Sequence, residues 1–361
     1  MIRTVLLLCV LGLAAASPAL VRSREEVEAF RNFLESTKTN DGNNFLARTK
    51  LSPLSNPEEN SGKYQGDIVL DDFMIEDMVQ GYAVGRNAYI FPDTHWPNNT
   101  VVWQFGEGEF DPVQQQAIKD GIQDIENHTC IKFRYREPED TVFVNVTGGP
   151  GGCYAHVGYW EPREVHVMNL AANLPGVGCF RHATIVHEWM HILGFLHMHS
   201  TYNRDDYVDI IEENVAPGRF HNFDIYTSEL VSNNGIEYDY VSCLHYGPFA
   251  FTVNGEPTIV PKKEIEGTMG QRVFITEKDW LRINRHYNCS GAWDEVKEEI
   301  KEYSKQEEDD VDDEEQEFEI VGDSEDVDEE YGENGEVLDV DEEDEELIKR
   351  LIAVQLLQMK K

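Results

Sequence analysis

The chain has 361 residues, a formal charge of −39 and 40% apolar residues. That is long enough for one large domain or two medium ones and apolar enough for a true core, so composition permits an enzyme without pointing to one. Most of the charge comes from one late segment and says little about a folded domain, and no nucleic-acid partner is expected.

Met1-Ile2-Arg3 opens the chain, followed by an apolar run over residues 5–13 and then Ala14-Ala15-Ala16-Ser17. This is the charged start, apolar centre and small-residue cut site of an export signal, with cleavage near Ala16, so 1–16 reads as a signal peptide. The run is well short of the roughly 20 apolar residues that span a bilayer, and no stable membrane insertion is expected. Export predicts a secreted, extracellular chain whose cysteines meet an oxidising compartment. Apart from Cys9 these are Cys130, Cys153, Cys179, Cys243 and Cys289, a number that fits two bridges and one free thiol without fixing the pairs. Sequons at Asn98, Asn127, Asn145 and Asn288 permit glycosylation without requiring it.

Residues 17–86 are polar, short of cysteine and broken by Pro53, Pro57, Gly62, Gly66 and Gly81, a texture that does not promise a core of its own. From Asn87 to about Cys289 strand-like, aromatic-rich runs at 100–105, 131–135, 141–146 and 164–168 surround helical patterns. Asp111 as N-cap and Pro112 at the first position open one helix, with Ile118, Ile122 and Ile125 on one face. A second helix is predicted over 182–195, ending near Gly194, whose missing Cβ allows a sharp turn. Strands first and a helix-rich second half predict an α+β domain.

Between Gln306 and Glu346 there are 25 acidic residues and no Lys or Arg, a mixture that cannot bury enough apolar surface to offset ordering entropy, and disorder is expected. The last segment places Ile348, Leu351, Ile352, Leu356 and Met359 at near-helical spacing among Lys349, Arg350, Lys360 and Lys361. It reads either as a marginal helix paired with the acidic tail or as a surface that meets a membrane or a partner.

The chemistry is concentrated in His187-Glu188-Trp189-Met190-His191-Ile192-Leu193-Gly194-Phe195-Leu196-His197. Residues four apart share a helix face, so His187 and His191 can present their rings to one ion. Glu188 is then placed to take a proton from a zinc-bound water, and Gly194 lets His197 return as third ligand. Three protein ligands leave the open position of a catalytic zinc site, and the Gly194–His197 extension makes the motif far more specific than a bare HExxH. His199 is a competing third ligand and is expected instead at the surface.

Beyond this motif, Arg204-Asp205-Asp206-Tyr207-Val208, Ser242-Cys243-Leu244-His245-Tyr246-Gly247, residues 255–262, Gly270-Gln271-Arg272 and Ile283-Asn284 through Cys289 resemble the astacin family of metzincin peptidases. Upstream, Tyr64-Gln65-Gly66-Asp67 is similar to the family's propeptide motif. The resemblance implies a two-lobed catalytic domain over 87–291, with a twisted N-terminal sheet, a zinc-site helix and a cleft between the lobes. It implies a propeptide over 17–86 and does not reach the acidic tail at 292–361. One Zn2+ per subunit, protein or peptide substrates, an activating protease and hydrolysis of internal peptide bonds are implied with it. Asp67 would ligate the zinc in the latent form, and a cut after Arg86 would free Asn87 as the new N-terminus. Bridges Cys130–Cys289 and Cys153–Cys179 are implied, as is an oxyanion-stabilising role for Tyr246 and a substrate-pairing edge strand around Cys153-Tyr154. A single-domain digestive, hatching or similar protease is implied more than a developmental one.

Three positions depart from the family's pattern. Met198 stands where a glutamate usually engages the mature N-terminus, and Leu244 replaces the methionine of the turn beneath the zinc, a swap that usually costs under about 1.5 kcal/mol. Cys243 reads as a buried apolar thiol and not as a ligand. The rival from another class is a secreted binding protein on a relic protease fold, its acidic tail capturing calcium or basic partners. The intact ligand set and base argue against it.

Overall fold

The computed structural model describes residues 22–38, 56–83, 95–226, 232–294 and 296–297. The expected export signal, the expected Arg86–Asn87 cut, and all of the expected tail beyond residue 297 with its terminal segment lie outside the described residues.

The upstream segment carries α1 (Arg24–Lys38), β1 (Ile68–Val69) and α2 (Asp72–Ala83). Neither helix is among the elements expected from the sequence, although Val27, Phe30 and Leu34 in α1 repeat at helical spacing. Phe30 and Leu34 pack with Met74, Ile75, Met78 and Val79 of α2, and the same cluster takes in Val157 and Tyr226 from the main body. The segment therefore completes its core only by docking, in keeping with its polar texture.

The main body is built on β2 (Thr100–Phe105), β3 (Lys132–Tyr135), β4 (Phe143–Thr147), β5 (Cys153–His156) and β6 (Val165–Leu170). With β1 they form one sheet of order β1-β5-β6-β4-β2-β3, in which only the β5–β6 pair is antiparallel. Helix α3 (Pro112–His128) starts as expected: Asp111 accepts from the Val113 and Gln114 amides while the Gln114 side chain caps the Asp111 N–H. Its buried Ile118, Ile122 and Ile125 face α4 (His182–Ile192), and both helices share one core with the sheet.

The expectation of a helix-rich second half is wrong. Among the described residues between Gly194 and Ser290 the one α-helix is α5 (Glu277–His286); β7 (Val208–Ile210) pairs antiparallel with β8 (Ile259–Pro261), and the rest is single 3-10 turns and loops. Pro217, Gly218, Gly235, Gly247, Pro248 and Gly255 interrupt any 3.6-residue period. Buried side chains then serve the backbone in place of a helical ladder: Arg204 Nη1 donates to the carbonyls of His199 at 3.1 Å and Phe223 at 2.6 Å. The architecture is nonetheless α+β.

The disulfides pair as the resemblance implies, Cys130–Cys289 across 159 residues and Cys153–Cys179 across 26. Closing such loops contributes about 5 and about 3.5 kcal/mol in the chain-entropy model. The first ties the start of β3 to the chain after α5; the second ties β5 to the entry of α4. The packed chain also continues past Ser290: Arg285 Nε donates to the Ala292 carbonyl at 3.0 Å, and its guanidinium lies 4.8 Å from the Trp293 ring.

Candidate metal centre

Residues 183–192 of α4 are all buried, so this helix runs through the interior rather than over its surface. Its C-terminus is a Schellman turn: the Phe195 amide donates to the Met190 carbonyl at 3.0 Å and the Gly194 amide to His191 at 2.8 Å. Gly194 supplies the left-handed residue this turn needs, at φ +102°. The reversal ends the helix at Ile192, three residues earlier than periodicity suggests, and brings His197 back toward His187 and His191.

The side chains of His187, His191, His197 and Asp67 converge, with one ligand atom from each lying within 4.8 Å of the others and all four residues buried. His187 Nε2 is 3.1 Å from His191 Nε2 and 3.1 Å from Asp67 Oδ2; His197 Nε2 is 3.2 Å from Asp67 Oδ1, and His191 Nε2 is 3.6 Å from it. Four donors at about 2.0–2.1 Å from one tetrahedral centre stand about 3.3 Å apart, so the spacing fits a single zinc ion.

The outer hydrogen bonds fix which ring nitrogens face inward. His187 Nδ1 lies 2.7 Å from the Cys243 carbonyl and His191 Nδ1 lies 2.7 Å from that of Phe195. A carbonyl only accepts, so both Nδ1 atoms carry the proton and both Nε2 lone pairs point into the cluster. Lone pairs facing one another and a carboxylate in a dry interior repel unless a cation lies between them. The donor set therefore suits a metal ion and would be costly without one.

Glu188 is fully buried, and neither carboxylate oxygen has a hydrogen-bond donor. Burial, then the negative charges of Asp67 and Glu58, push its pKa well above the usual carboxylate range. Tyr246, also buried, donates its hydroxyl to the backbone carbonyl of Gln65. The turn at Ser242-Cys243-Leu244 lies under the site: Cys243 O holds His187, and Leu244 O accepts from the Met198 amide at 3.0 Å. Leu244 and Met198 are both buried, and neither is among the clustered ligands. Cys243 is a buried free thiol 3.5 Å from Met190 Sδ, and burial, then the Asp279 charge, push its pKa up, which keeps it unreactive.

His199 departs from expectation. It is fully buried, its ring stacks on Tyr246 at 3.8 Å between centroids, and its Nε2 lies 3.1 Å from the Asn222 carbonyl. Within the 3-10 turn Met198–Ser200, it stacks on both His197 and the tyrosine without joining the ligand cluster, a placement its polar character did not suggest.

Asp67 reaches the cluster from the upstream segment, whose path is set by β1 lying parallel along β5, with Ile68 opposite Ala155 and Val69 opposite His156. The edge that the resemblance assigns to substrate is thus covered here. Gly66, at φ +82°, makes the final bend; a Cβ there would lie 2.8 Å from the Glu59 Cα. Sequence reasoning missed three further contacts of this segment. Glu58 forms a buried ion pair with Arg272, Arg163 Nε donates to Asp71 at 2.8 Å, and Gln65 Oε1 accepts from His197 Nδ1 at 3.1 Å. Only Gln65 had a signal, its place beside Gly66-Asp67.

Of the sequons, Asn98, Asn127 and Asn288 are exposed. Asn145 is half-buried within β4, where its Oδ1 accepts from Gln104 Nε2 at 3.1 Å, a poor place for a glycan. Among the described residues no helix is long and apolar enough to cross a membrane.

The family model described as Astacin, a peptidase family, matches residues 89–288. Seminal metalloprotease 1 of Drosophila melanogaster is 37% identical over 241 residues, covering 65% of this chain and 90% of that one. Meprin A subunit beta of Homo sapiens is 34% identical over 230 residues, 63% of this chain and 30% of that longer one. Among solved structures, High choriolytic enzyme 1, a hatching enzyme zinc-protease from Oryzias latipes, aligns with a TM-score of 0.46 at 30% identity over 54% of this chain and 93% of that one. The family match runs over more than half of the 361 residues and spans both the histidine helix and the turn beneath it, so the chain belongs to the astacin family and is a zinc metalloendopeptidase.

Proposed function

We propose that this chain is a secreted precursor whose endopeptidase site is kept latent by Asp67 and released by a cut after Arg86 that frees Asn87. The observation that carries the reading is the fourth donor: an upstream carboxylate, buried with three histidines, takes the coordination position that a catalytic water needs. The parallel β1–β5 pairing adds a second block, because it occupies the edge where an extended peptide would add its own strand. Two disulfides fit export into an oxidising compartment.

In the activated enzyme His187, His191 and His197 would hold the zinc, which supplies Lewis acidity that polarises a carbonyl and acidifies water. Glu188 accepts a proton from the attacking water at its carboxylate and passes it to the departing amine nitrogen. Its burial and lack of competing donors support this role, because a desolvated carboxylate with a raised pKa holds a proton more readily than an exposed one. Tyr246, once its hydroxyl leaves Gln65, donates to the oxygen that gains negative charge as the tetrahedral centre forms. The freed edge of β5 orients the peptide backbone.

The test is an uncleavable precursor, Arg86→Gln, compared with the same protein also carrying Asp67→Ala. The single variant should hydrolyse no peptide, and the double variant should show measurable turnover. Equal silence, with zinc bound and the fold intact, would mean that the segment inhibits by covering the cleft and that Asp67 is not the switch.

A further inference from the structure

Two of the three histidines take their outer hydrogen bonds from the body that remains after activation, His187 from Cys243 O and His191 from Phe195 O. The third does not. His197 Nδ1 lies 3.1 Å from Gln65 Oε1, in the upstream segment. An inward-facing Nε2 requires the proton on Nδ1, so the amide oxygen is the acceptor. The amide nitrogen is fixed in turn by donating to Ser200 Oγ at 3.1 Å. The backbone carbonyl of the same residue accepts the Tyr246 hydroxyl.

We propose that Gln65 is a positioning residue and second latch of the latent state: its side chain holds His197 as a metal ligand, its carbonyl holds Tyr246, and loss of the segment frees both together. This rests on the reading that Asp67 and the three histidines share the ion. Gln65 is fully buried and sits at φ +43°, a left-handed conformation that a residue with a Cβ avoids unless its surroundings hold it there. Here three hydrogen bonds, to His197, Tyr246 and Ser200, do so. With Gly66 also left-handed, the two residues turn the chain so that Gln65 and Asp67 both enter the site from one short bend. Asp67 alone would block the water position and leave the Tyr246 hydroxyl free; Gln65 ties up that hydroxyl while it steadies His197 as a ligand. Activation then hands the Tyr246 hydroxyl to substrate and leaves His197 to find a new acceptor, so the mature enzyme retains its metal less firmly than removal of Asp67 alone would predict.

Loss of an outer-shell partner typically costs about 10- to 100-fold in metal affinity. The measurement is zinc release from the zinc-loaded Arg86→Gln precursor to a chromogenic chelator, which needs no turnover. Gln65→Leu keeps size but neither donates nor accepts, and should release zinc about 10- to 100-fold faster. Gln65→Glu keeps an acceptor for His197 Nδ1 and should return release close to the parental rate. Ser200→Ala removes only the anchor of the amide nitrogen and should fall between the two, which keeps the test open if the leucine variant fails to fold. Parental rates in both Gln65→Leu and Ser200→Ala would overturn the proposal, as would a glutamate variant as leaky as the leucine one. Asp67→Ala, run alongside, separates the two readings: a parental rate there removes Asp67 from the metal while the Gln65 comparison stands, whereas a precursor that binds no zinc defeats both.

Discussion

Glu58→Ala in the uncleavable Arg86→Gln precursor tests how the upstream segment is held. Glu58 and Arg272 are both fully buried, their side chains 0% and 1% exposed, and one belongs to the segment while the other belongs to the body. Removing one partner of a buried pair costs about 3–5 kcal/mol, because the other charge stays desolvated and unpaired. Arg272 would keep two carbonyl acceptors, Gln271 at 2.8 Å and His245 at 3.2 Å, so the lower end of that range applies. When the segment undocks, Arg272 regains water and the penalty disappears. A loss of about 3 kcal/mol therefore shifts the docked–undocked balance about 150-fold toward the open form. Hydrolysis of a short neutral peptide at pH 7 reads that shift directly, as residual activity about two orders of magnitude above the parent precursor. Glu58→Gln, which keeps one acceptor for the guanidinium, should show a smaller rise. Unchanged residual activity in Glu58→Ala, with normal turnover after activation of an otherwise wild-type chain, would show that the pair contributes nothing to docking.

Glu188→Gln should retain stoichiometric zinc and lose turnover by at least about 10²–10⁴-fold, since an amide cannot take the water proton; near-normal activity with zinc bound would remove Glu188 as base. His191→Ala, in contrast, should lose the metal, which atomic absorption would report. Burial, then the Glu58 charge, push Glu59 up to about 8. A pKa raised on docking gives stability that is full below the free value near 4.5 and is lost as pH rises through 8, by at most about tenfold per unit. Trypsin cleavage after buried Lys63 should accordingly speed up between pH 7 and 8 relative to a Glu59→Gln control, and parallel rates in the two proteins would refute it. Truncation after Lys297 should leave peptide turnover and melting temperature nearly unchanged, whereas truncation after Ser290 strips Arg285 of its Ala292 acceptor and Trp293 contact and should destabilise by about 1–3 kcal/mol; equal melting points would place the boundary earlier.

Much of the centre was legible from local spacing. His187 and His191 lie one helical turn apart, Gly194 is the residue a Schellman turn selects, and Asp111 as N-cap with Pro112 at the first position announced α3. These signals act within a few residues, so sequence carries them in full. The period of α1 was equally local and was hidden by the polar, proline-broken stretch around it. What the sequence by itself did not determine lies at long separation. The burial of His199 under Tyr246, the Glu58–Arg272 pair across 214 residues and the Gln65–His197 bond across 132 all depend on where distant loops close. The cysteine pairing came from resemblance, because five thiols in a row of letters allow several pairings and only packing brings two Cα atoms to 5.5 Å. The second half defeated the helical reading for the same reason: its backbone is satisfied by buried side chains such as Arg204, which no periodicity records. Local propensity is fixed by neighbouring side chains, whereas a buried polar contact exists only once the surrounding chain has excluded water and set both partners in place.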